Sequence, residues 1–160
     1  MRARLWPLTA LVFLACVGCG PLVDLSKGLQ VFDVMTGWSD VGIVNGQNKL
    51  VPSITFKLKN ASDQSLVALQ INAVFRRLGN SDEWGSGYLI ITQSQGLASG
   101  STTKAWTIRS NLGYTGLEPR ADMLKHSQFV DAKVELAAKY ASAQWKRIGD
   151  YPVDRRLLTP

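Results

Sequence analysis

Histidine and cysteine are scarce in this sequence, and their scarcity limits the chemistry it can perform. His126 is the one histidine, and the two cysteines, Cys16 and Cys19, lie together near the N-terminus. A structural zinc site takes about four Cys or His ligands, and this CxxC spacing has no second pair to complete it. A nucleophile needs an adjacent base, and no Gly-rich oxyanion turn accompanies His126. We therefore predict no metal, no cofactor and no catalytic residue. A hydrolase would require a cleft that joins His126 to an acid.

Long runs of like charge and long apolar runs are also missing. The full chain has a net charge of +6, but its basic residues are scattered, and three doublets are the longest groups: Arg76-Arg77, Lys146-Arg147 and Arg155-Arg156. Nucleic-acid binding needs a denser basic patch than this. A membrane-spanning helix needs about 20 apolar residues, and no stretch of the sequence is that long. We therefore predict neither a nucleic-acid partner nor a spanning helix.

The N-terminus has the organisation of a secretory signal. A short basic start, Met1 to Arg4, precedes a mostly apolar run from Leu5 to Ala15. The segment that follows, Cys16-Val-Gly-Cys19, resembles a bacterial lipoprotein signal, in which small residues precede a cysteine that receives a lipid. The resemblance predicts a signal peptide over 1–18, lipid (palmitate) attachment at Cys19 and a lipidated tether over 19–28. The alternative is Cys16, with the signal peptide ending at 15.

This resemblance also implies a location. The protein is expected at the cell envelope, held to a membrane by its N-terminal lipid. In a cell with an outer membrane, the residue after the lipidated cysteine helps to decide the destination. Here that residue is Gly20, or Val17 for the alternative, and neither is the Asp that resembles an inner-membrane retention signal. The expected location is then the outer membrane, facing the periplasm.

The stretch from Val51 to Arg77 has the clearest β-pattern in the chain. Ile54, Phe56 and Leu58 alternate with polar residues, and a second alternating run carries Val67, Leu69, Ile71, Ala73 and Phe75. This period of two is typical of strands with one buried face and one wet face. Between them, 60–65 is a polar segment whose short side chains favour a turn. We predict two strands joined by that turn, which form the core pair of a sheet.

Other strands follow at regular intervals. Asn45-Gly46 predicts a tight hairpin turn that pairs Val41 to Val44 with the residues near Lys49. Further strands are predicted over 29–35, 84–92, 102–110, 129–140 and 145–148, with 151–153 as an edge piece because of Pro152. The segment 129–140 is rich in helix formers, but its strict alternation favours a strand over a helix. Thr36 to Asp40 is predicted to break the first strand.

The strand spacing predicts an all-β fold: an Ig-like antiparallel β-sandwich of about seven to eight strands over 29–160. Short alternating strands, a polar turn, a long strand and then Gly96-Leu-Ala-Ser-Gly100 before a Trp-containing strand make the chain similar to the Ig-like or LEA-type-2-like envelope domains of bacteria, including FxLYD-type modules. The resemblance covers about 30 to 155. It implies an exported, non-catalytic accessory domain and carries over no functional residue.

Aromatic residues are the best candidates for ligand or partner contact. Trp38 and Trp84 are predicted at loop edges beside Gly and acidic residues, and Tyr114 lies in a loop bracketed by Gly113 and Gly116. Exposed Trp and Tyr can stack on sugar rings or anchor a protein partner. The alternative is that Trp38 and Trp84 seal an end of the sandwich. Two further tryptophans, Trp106 and Trp145, are predicted inside strands and in the core.

Three functions follow, in order of preference. The first is a lipid-anchored, non-catalytic binding or assembly module for an envelope protein complex, which predicts an exposed apolar patch or an unpaired edge strand. The second is a glycan- or cell-wall-binding module, which predicts Trp38, Trp84 or Tyr114 exposed on one face. The third is a hydrolase that uses His126.

Overall fold

The structure is a computed structural model that describes residues 22–158. It is a β-sandwich of two sheets packed face to face, so the predicted all-β sandwich is confirmed. The described residues form nine strands, slightly more than predicted: β1 Leu29–Val44, β2 Gln47–Asn60, β3 Gln70–Arg77, β4 Gly85–Ile90, β5 Trp106–Arg109, β6 Tyr114–Gly116, β7 Ala132–Lys139, β8 Lys146–Pro152 and β9 Leu157–Leu158. Two one-turn helices accompany them: α1 Leu25–Gly28 and α2 Arg120–Met123. The predicted signal peptide and both cysteines lie outside the described residues.

The strands divide between a five-stranded and a four-stranded sheet. In the first, the order is β5-β2-β1-β9, and β6 pairs with β2 further along the same edge as β5. In the second, the order is β4-β3-β7-β8. Neighbouring strands are antiparallel throughout, except that β9 pairs in parallel with β1 at Trp38 and Ser39.

The two strands of the central stretch lie in opposite sheets. The alternation predicted for them is confirmed, because Ile54, Phe56 and Phe75 are fully buried. Their predicted pairing is wrong: β2 pairs with β1, β5 and β6, whereas β3 pairs with β4 and β7. The polar segment after Asn60 therefore crosses from one sheet to the other instead of closing a hairpin. Period-two patterns report which side chains point inward, but they contain no information on which strands are neighbours.

The first strand does not break where the sequence predicted. β1 runs through Thr36-Gly-Trp-Ser-Asp because these residues find partners in the folded chain. Thr36 and Ser39 are buried, and the backbone of Trp38 donates a hydrogen bond to the carbonyl of Arg156, 2.8 Å away. The irregularities of β1 are instead two register shifts, which include Asp33 and Gly42 at φ of 53° and 89°. The Asn45-Gly46 hairpin turn is confirmed, since Val44 pairs with Gln47.

The ambiguous segment near the C-terminus is a strand, as its alternation predicted. Every second residue of β7 is buried: Ala132, Val134, Leu136 and Ala138. The strand is shorter than the predicted 129–140, since Phe129 to Asp131 precede it without joining a sheet. Pro152 lies in β8 at the edge of the four-stranded sheet, where the missing N–H removes no ladder bond to an outer neighbour.

The sandwich has two ends that differ in character. We call the end at which the described chain begins the entry end; it contains Leu29 of β1, Asn60 of β2 and Lys139 of β7. The opposite end, with the Asn45-Gly46 turn and the start of β7, we call the hairpin end. Residues 22–28, predicted as tether, pack on the entry end: Leu25 and Gly28 are buried, and the backbone N–H of Val23 donates to the hydroxyl of Tyr140. The folded unit therefore begins before Leu29.

Both sides of the sandwich are closed where the two sheets meet. On one side, β8 approaches β1, and the Thr36 hydroxyl donates a hydrogen bond to the Pro152 carbonyl. On the other, β4 approaches β5 so closely that a Cβ on Gly87 would lie 2.4 Å from Cγ2 of Ile108. Such closure protects edges that would otherwise pair with another chain. The protein-partner hypothesis allowed an unpaired edge strand as the binding surface. Over residues 22–158, that version of the hypothesis therefore has little support.

Candidate binding site at the hairpin end

Four aromatic rings meet at the hairpin end of the core. The three aromatic residues singled out from the sequence are neighbours: ring centroids are 6.1 Å apart for Trp38 and Trp84, 5.7 Å for Trp38 and Tyr114, and 5.0 Å for Trp84 and Tyr114. Phe129 completes the group, with its ring edge-on to Trp38 at 4.7 Å. The cluster joins β1, the approach to β4, β6 and the segment before β7. We call these four residues the aromatic cluster.

The aromatic cluster seals the core and does not form an open platform. Trp38 lies inside β1 and has no exposed surface, so its predicted place at a loop edge is wrong and it cannot stack on a ligand. Trp84 and Tyr114 are half-buried, and the guanidinium of Arg77 lies 4.7 Å above the Trp84 ring and 5.6 Å from that of Tyr114. The arrangement matches the sealing alternative. A cation over a ring face is itself a stabilising contact, so Arg77 occupies a surface that a sugar would need.

A cavity of about 230 Å³ opens beside the aromatic cluster. Tyr114, Met123 and Phe129 give it an apolar floor, and polar side chains form its rim: Thr115, Glu118, His126 and Gln128. Sites for drug-sized molecules usually measure about 300–1,000 Å³. This cavity is smaller, so it fits one side chain or a comparably small group.

The loop that forms the cavity is tied to the sheets by polar contacts. Asn48 of β2 donates from Nδ2 to the carbonyl of Glu118 at 2.9 Å, and Arg120 forms an ion pair with Asp40 of β1. The hydrogen bond from Arg120, followed by that from the Gly42 backbone, lowers the pKa of Asp40 below its ordinary value. Arg155 donates to the Phe129 carbonyl at 3.1 Å. These contacts hold the cavity wall against the hairpin end.

The same loop is held at its far side by a second ion pair. Arg155 contacts Asp131 at 2.5 Å, and its guanidinium lies 5.0 Å from the centroid of the Phe129 ring. The hydrogen bond to Asp131 raises the pKa of Arg155. The guanidinium of Arg155 thus connects the C-terminal segment to the residues that line the cavity.

The cavity bears on the hydrolase alternative because His126 and Glu118 both line it. The His126 ring is oriented by its own loop: Nδ1 accepts a hydrogen bond from the backbone N–H of Gln128 at 3.1 Å. Within residues 22–158, no hydrogen bond or ion pair joins His126 to an acid. A base is oriented for catalysis by such a partner, and the geometry here lacks that part of the arrangement.

Exposed apolar side chains lie at the tip of the β1–β2 hairpin and in the loop after β6. Ile43 and Leu117 are 70% and 79% exposed, and Val41 and Val44 are also exposed. Ile43 pairs with Asn48, which pairs with Gly116, so these three form a row across the sheet. Asn48 and the buried Leu50 are two residues apart and share a face of β2. The row therefore continues the inner face of the sandwich beyond the part that the other sheet covers.

Sequence reasoning did not single out this apolar tip. Val41 to Val44 was predicted correctly as a strand that pairs back across the Asn45-Gly46 turn. The sequence does contain a feature that could have indicated it. Beside the turn, Val41, Ile43 and Val44 place apolar residues on both faces of the strand. A hairpin tip is normally wet, so apolar residues on both faces of it indicate contact with something outside the chain.

A second exposed group, at the entry end, contains a tryptophan that was predicted to be in the core. Trp145 lies between β7 and β8 and is 42% exposed, so that prediction is wrong. Its ring meets the exposed Tyr88 edge-on, with centroids 6.4 Å apart. Trp106 is in a strand as predicted, but it is half-buried, and Lys104 Nζ lies 4.6 Å from the centroid of its ring. Alternation in short strands near an edge does not guarantee that both sheets cover the apolar face.

Residues 22–158 lack the features of two further classes of site. No group of three or more His, Cys, Asp or Glu side chains is arranged there to hold a metal ion. That part of the chain also contains no helix with the length and apolar character needed to cross a bilayer.

Comparisons with known proteins give little guidance. No protein-family model matches the chain, and no curated protein matches it. Among solved structures, the chain is similar to the X-ray structure of Northeast Structural Genomics Consortium target SoR45. The two are 14% identical, the match covers 81% of this chain and 88% of that chain, and the TM-score is 0.45. So distant a likeness supports no inference about function.

Proposed function

We propose that this protein is a lipid-anchored, non-catalytic binding module of the bacterial cell envelope, and that it binds a protein partner at its hairpin end. The observation that carries the proposal is the exposure of Ile43 at the end of the inner-face row, whose other members, Asn48 and Gly116, are half-buried. A side chain on the inner face of a sheet is normally buried, yet Ile43 is 70% exposed. A partner that covers Ile43 would bury it in the same way that the second sheet buries the rest of the core.

The small cavity gives such a partner an anchoring point. The cavity lies next to the row. Asn48 of the row donates a hydrogen bond to the backbone carbonyl of Glu118, and Glu118 lines the cavity. Binding energy in protein interfaces is concentrated where one side chain fills a desolvated pocket. The apolar floor fits an apolar or aromatic side chain, and the polar rim can accept or donate hydrogen bonds around it.

The arrangement also suits a membrane-anchored protein. The described chain begins at the entry end, and β1 runs from there to the hairpin end. Its 16 residues, at about 3.3 Å each, span at most roughly 50 Å. A lipid at Cys19 would hold the entry end to the membrane, and the hairpin end would then point away from it. An outer-membrane anchor facing the periplasm, and an Ig-like type of sandwich, are parts of the same proposal.

The anchor is tested by metabolic labelling of the full chain with radioactive palmitate. Cys19→Ala should abolish labelling, and Cys16→Ala should leave it largely unchanged. The reverse pattern would move the lipid to Cys16 and keep the anchor. Labelling that survives both changes would contradict a lipid on either cysteine.

The partner is tested by photo-crosslinking in intact cells. A photoreactive amino acid replaces Ile43 in one strain and Gln95, an exposed loop residue, in a control strain. We expect one discrete protein adduct from position 43 and none from position 95. Ile43→Asp should reduce recovery of the same protein in a detergent pull-down by at least about 10-fold, since it places a charge in an apolar contact. Adducts to cell-wall glycan alone would favour the glycan alternative and contradict a protein partner.

A further inference from the structure

The entry end presents an aromatic and apolar surface of its own. Tyr88 and Ile90 lie on the outer face of the four-stranded sheet, where Ile90 pairs with Gln70 and Gln70 pairs with Lys139. They are 50% and 55% exposed. Trp145 completes the group, and Lys139 Nζ lies 5.1 Å from the centroid of its ring. We call Tyr88, Ile90 and Trp145 the entry patch.

Several lysines lie at the same end of the molecule as the entry patch. Five lie at this end of the molecule: Lys27, Lys59, Lys104, Lys139 and Lys146. None of them forms an ion pair with another residue of 22–158. At the hairpin end, Arg76, Arg120 and Arg155 each contact a carboxylate, whereas Arg77 lies over aromatic rings. The entry end therefore carries five lysines outside any ion pair of residues 22–158, against the exposed carboxylates of Asp24 and Asp63.

The length of chain before the entry end brings this surface close to a membrane. If Cys19 carries the lipid, only Gly20 and Pro21 separate it from Leu22, the first described residue. Three residue steps reach at most about 11 Å. Residues 22–28 do not lengthen this connection, because they pack on the sandwich, with Leu25 2% exposed. This step rests on the proposed lipid anchor.

We propose that the entry patch and its lysines lie against the headgroup layer of the membrane that holds the lipid, and contact its anionic phospholipids. Trp and Tyr favour the membrane–water interface, because their rings are apolar at one end and polar at the other. Lysines near the surface are attracted to anionic headgroups over about a Debye length, roughly 8 Å at physiological salt. The contact fixes the sandwich upright, with the hairpin end facing outward.

Fluorescence quenching of the lipidated full chain tests this orientation. The protein is reconstituted into vesicles of phosphatidylcholine and phosphatidylglycerol that contain bromine-labelled acyl chains, which quench tryptophans at the interface. Trp145→Phe should remove the larger part of the bromolipid-quenchable emission. Trp84→Phe, at the hairpin end, should remove none of it.

A pair of double variants tests the role of charge. Lys139→Gln/Lys146→Gln should reduce the quenching of Trp145 in vesicles that contain phosphatidylglycerol and change it little in pure phosphatidylcholine. The matched control, Lys125→Gln/Lys133→Gln, makes the same change in charge away from the entry end and should have no effect in either.

The outcomes separate this inference from the proposed anchor. A chain that floats with the vesicles while Trp145 is quenched only by aqueous acrylamide overturns the inference and leaves the anchor intact. Shielding of Trp145 from both quenchers also overturns it, because a protein contact then covers the entry patch. Failure of the wild-type chain to float with vesicles overturns the anchor and the membrane contact together.

Discussion

The hydroxyl of Thr36 donates a hydrogen bond to the carbonyl of Pro152 at 2.9 Å and accepts one from the backbone N–H of Asp154 at 3.2 Å. One side chain thus joins the middle of β1 to the end of β8. The contact closes the side of the sandwich where the two sheets would otherwise part. It also explains why β1 continues through a stretch that resembles a turn.

Thr36→Val should therefore destabilise the fold. The change keeps the shape of the side chain but leaves the Pro152 carbonyl and the Asp154 N–H without their partner, which costs about 1–3 kcal/mol in the free energy of unfolding. Urea unfolding measures the loss. Thr107→Val is the matched control, because Thr107 is exposed and bonds only the Thr55 hydroxyl; it should cost less than about 0.5 kcal/mol. Equal losses would show that the Thr36 contact does not hold the two sheets together.

Trp38→Ala should be among the most destabilising single changes. Trp38 is fully buried within the aromatic cluster, and replacing a buried Trp or Phe with Ala costs about 3–5 kcal/mol because a cavity remains. Trp38→Phe should cost less, since Nε1 of Trp38 has no hydrogen-bond partner among the described residues. Trp145→Ala provides the contrast, because it removes an exposed ring and should cost about 1 kcal/mol or less. Denaturant unfolding ranks the three, and a larger loss at Trp145 would contradict the assignment of Trp38 to the core.

Asn60 organises the crossing between the two sheets, and Asn60→Asp should disrupt it. Its side chain is fully buried and donates from Nδ2 to the carbonyls of Gln64 and Leu97, both at 2.7 Å. A carboxylate cannot donate and would face these carbonyls with a buried negative charge, so we expect a loss of at least about 2 kcal/mol at neutral pH. Thermal unfolding measures it, with Asn80→Asp in an exposed turn as the control. A loss no larger than that of the control would show that Asn60 is not needed for the crossing.

The ion pair between Asp40 and Arg120 predicts a dependence of stability on pH. The Arg120 hydrogen bond and the Gly42 N–H hold the pKa of Asp40 below its ordinary value of 3.8. A carboxyl with a lowered folded-state pKa stabilises the fold above its unfolded-state pKa, and this stabilisation is lost as pH falls through the lowered value. Asp40→Asn should therefore reduce the stability at neutral pH slightly, by an amount that solvent screening keeps small, and flatten its decline in acid.

Urea midpoints between neutral pH and strong acid check this prediction. The variant and the wild type should converge at the acid end, where Asp40 is protonated. Gln95→Asn, which changes no titratable group at an exposed loop position, is the control and should leave the difference from wild type nearly constant. Parallel curves for Asp40→Asn and the wild type would show that the pair contributes nothing to folding.

The sequence supported local predictions better than pairing. Alternation correctly identified the inward residues of β2, β3 and β7, and the Asn45-Gly46 dipeptide correctly placed a hairpin. Both signals come from neighbouring residues, so no knowledge of the tertiary fold is needed. The partners of β2 and β3 depend on distant strands, and Thr36 to Asp40 resembles a break until the C-terminal segment supplies its hydrogen bonds.

At the candidate site, too, the sequence indicated the residues but not their tertiary contacts. The sequence identified Trp38, Trp84 and Tyr114 as a notable set, and the structure brings them together. Their burial could not be predicted, because it depends on Phe129 and Arg77, which approach from other parts of the chain. The exposure of Ile43 has a similar origin, because it depends on which distant segments reach the tip of the hairpin.

The path of β1 has a mechanical consequence. The same strand begins beside the proposed anchor and ends beside Ile43, so a pulling force between the membrane and a partner bound at Ile43 acts along one backbone. Covalent bonds carry that load, and the hydrogen bonds that join β1 to β2 are not sheared in series. A partner at the hairpin end could then be held under tension without unfolding of the sandwich, whereas a partner bound to β4 or β8 would load the weaker contacts between strands and sheets.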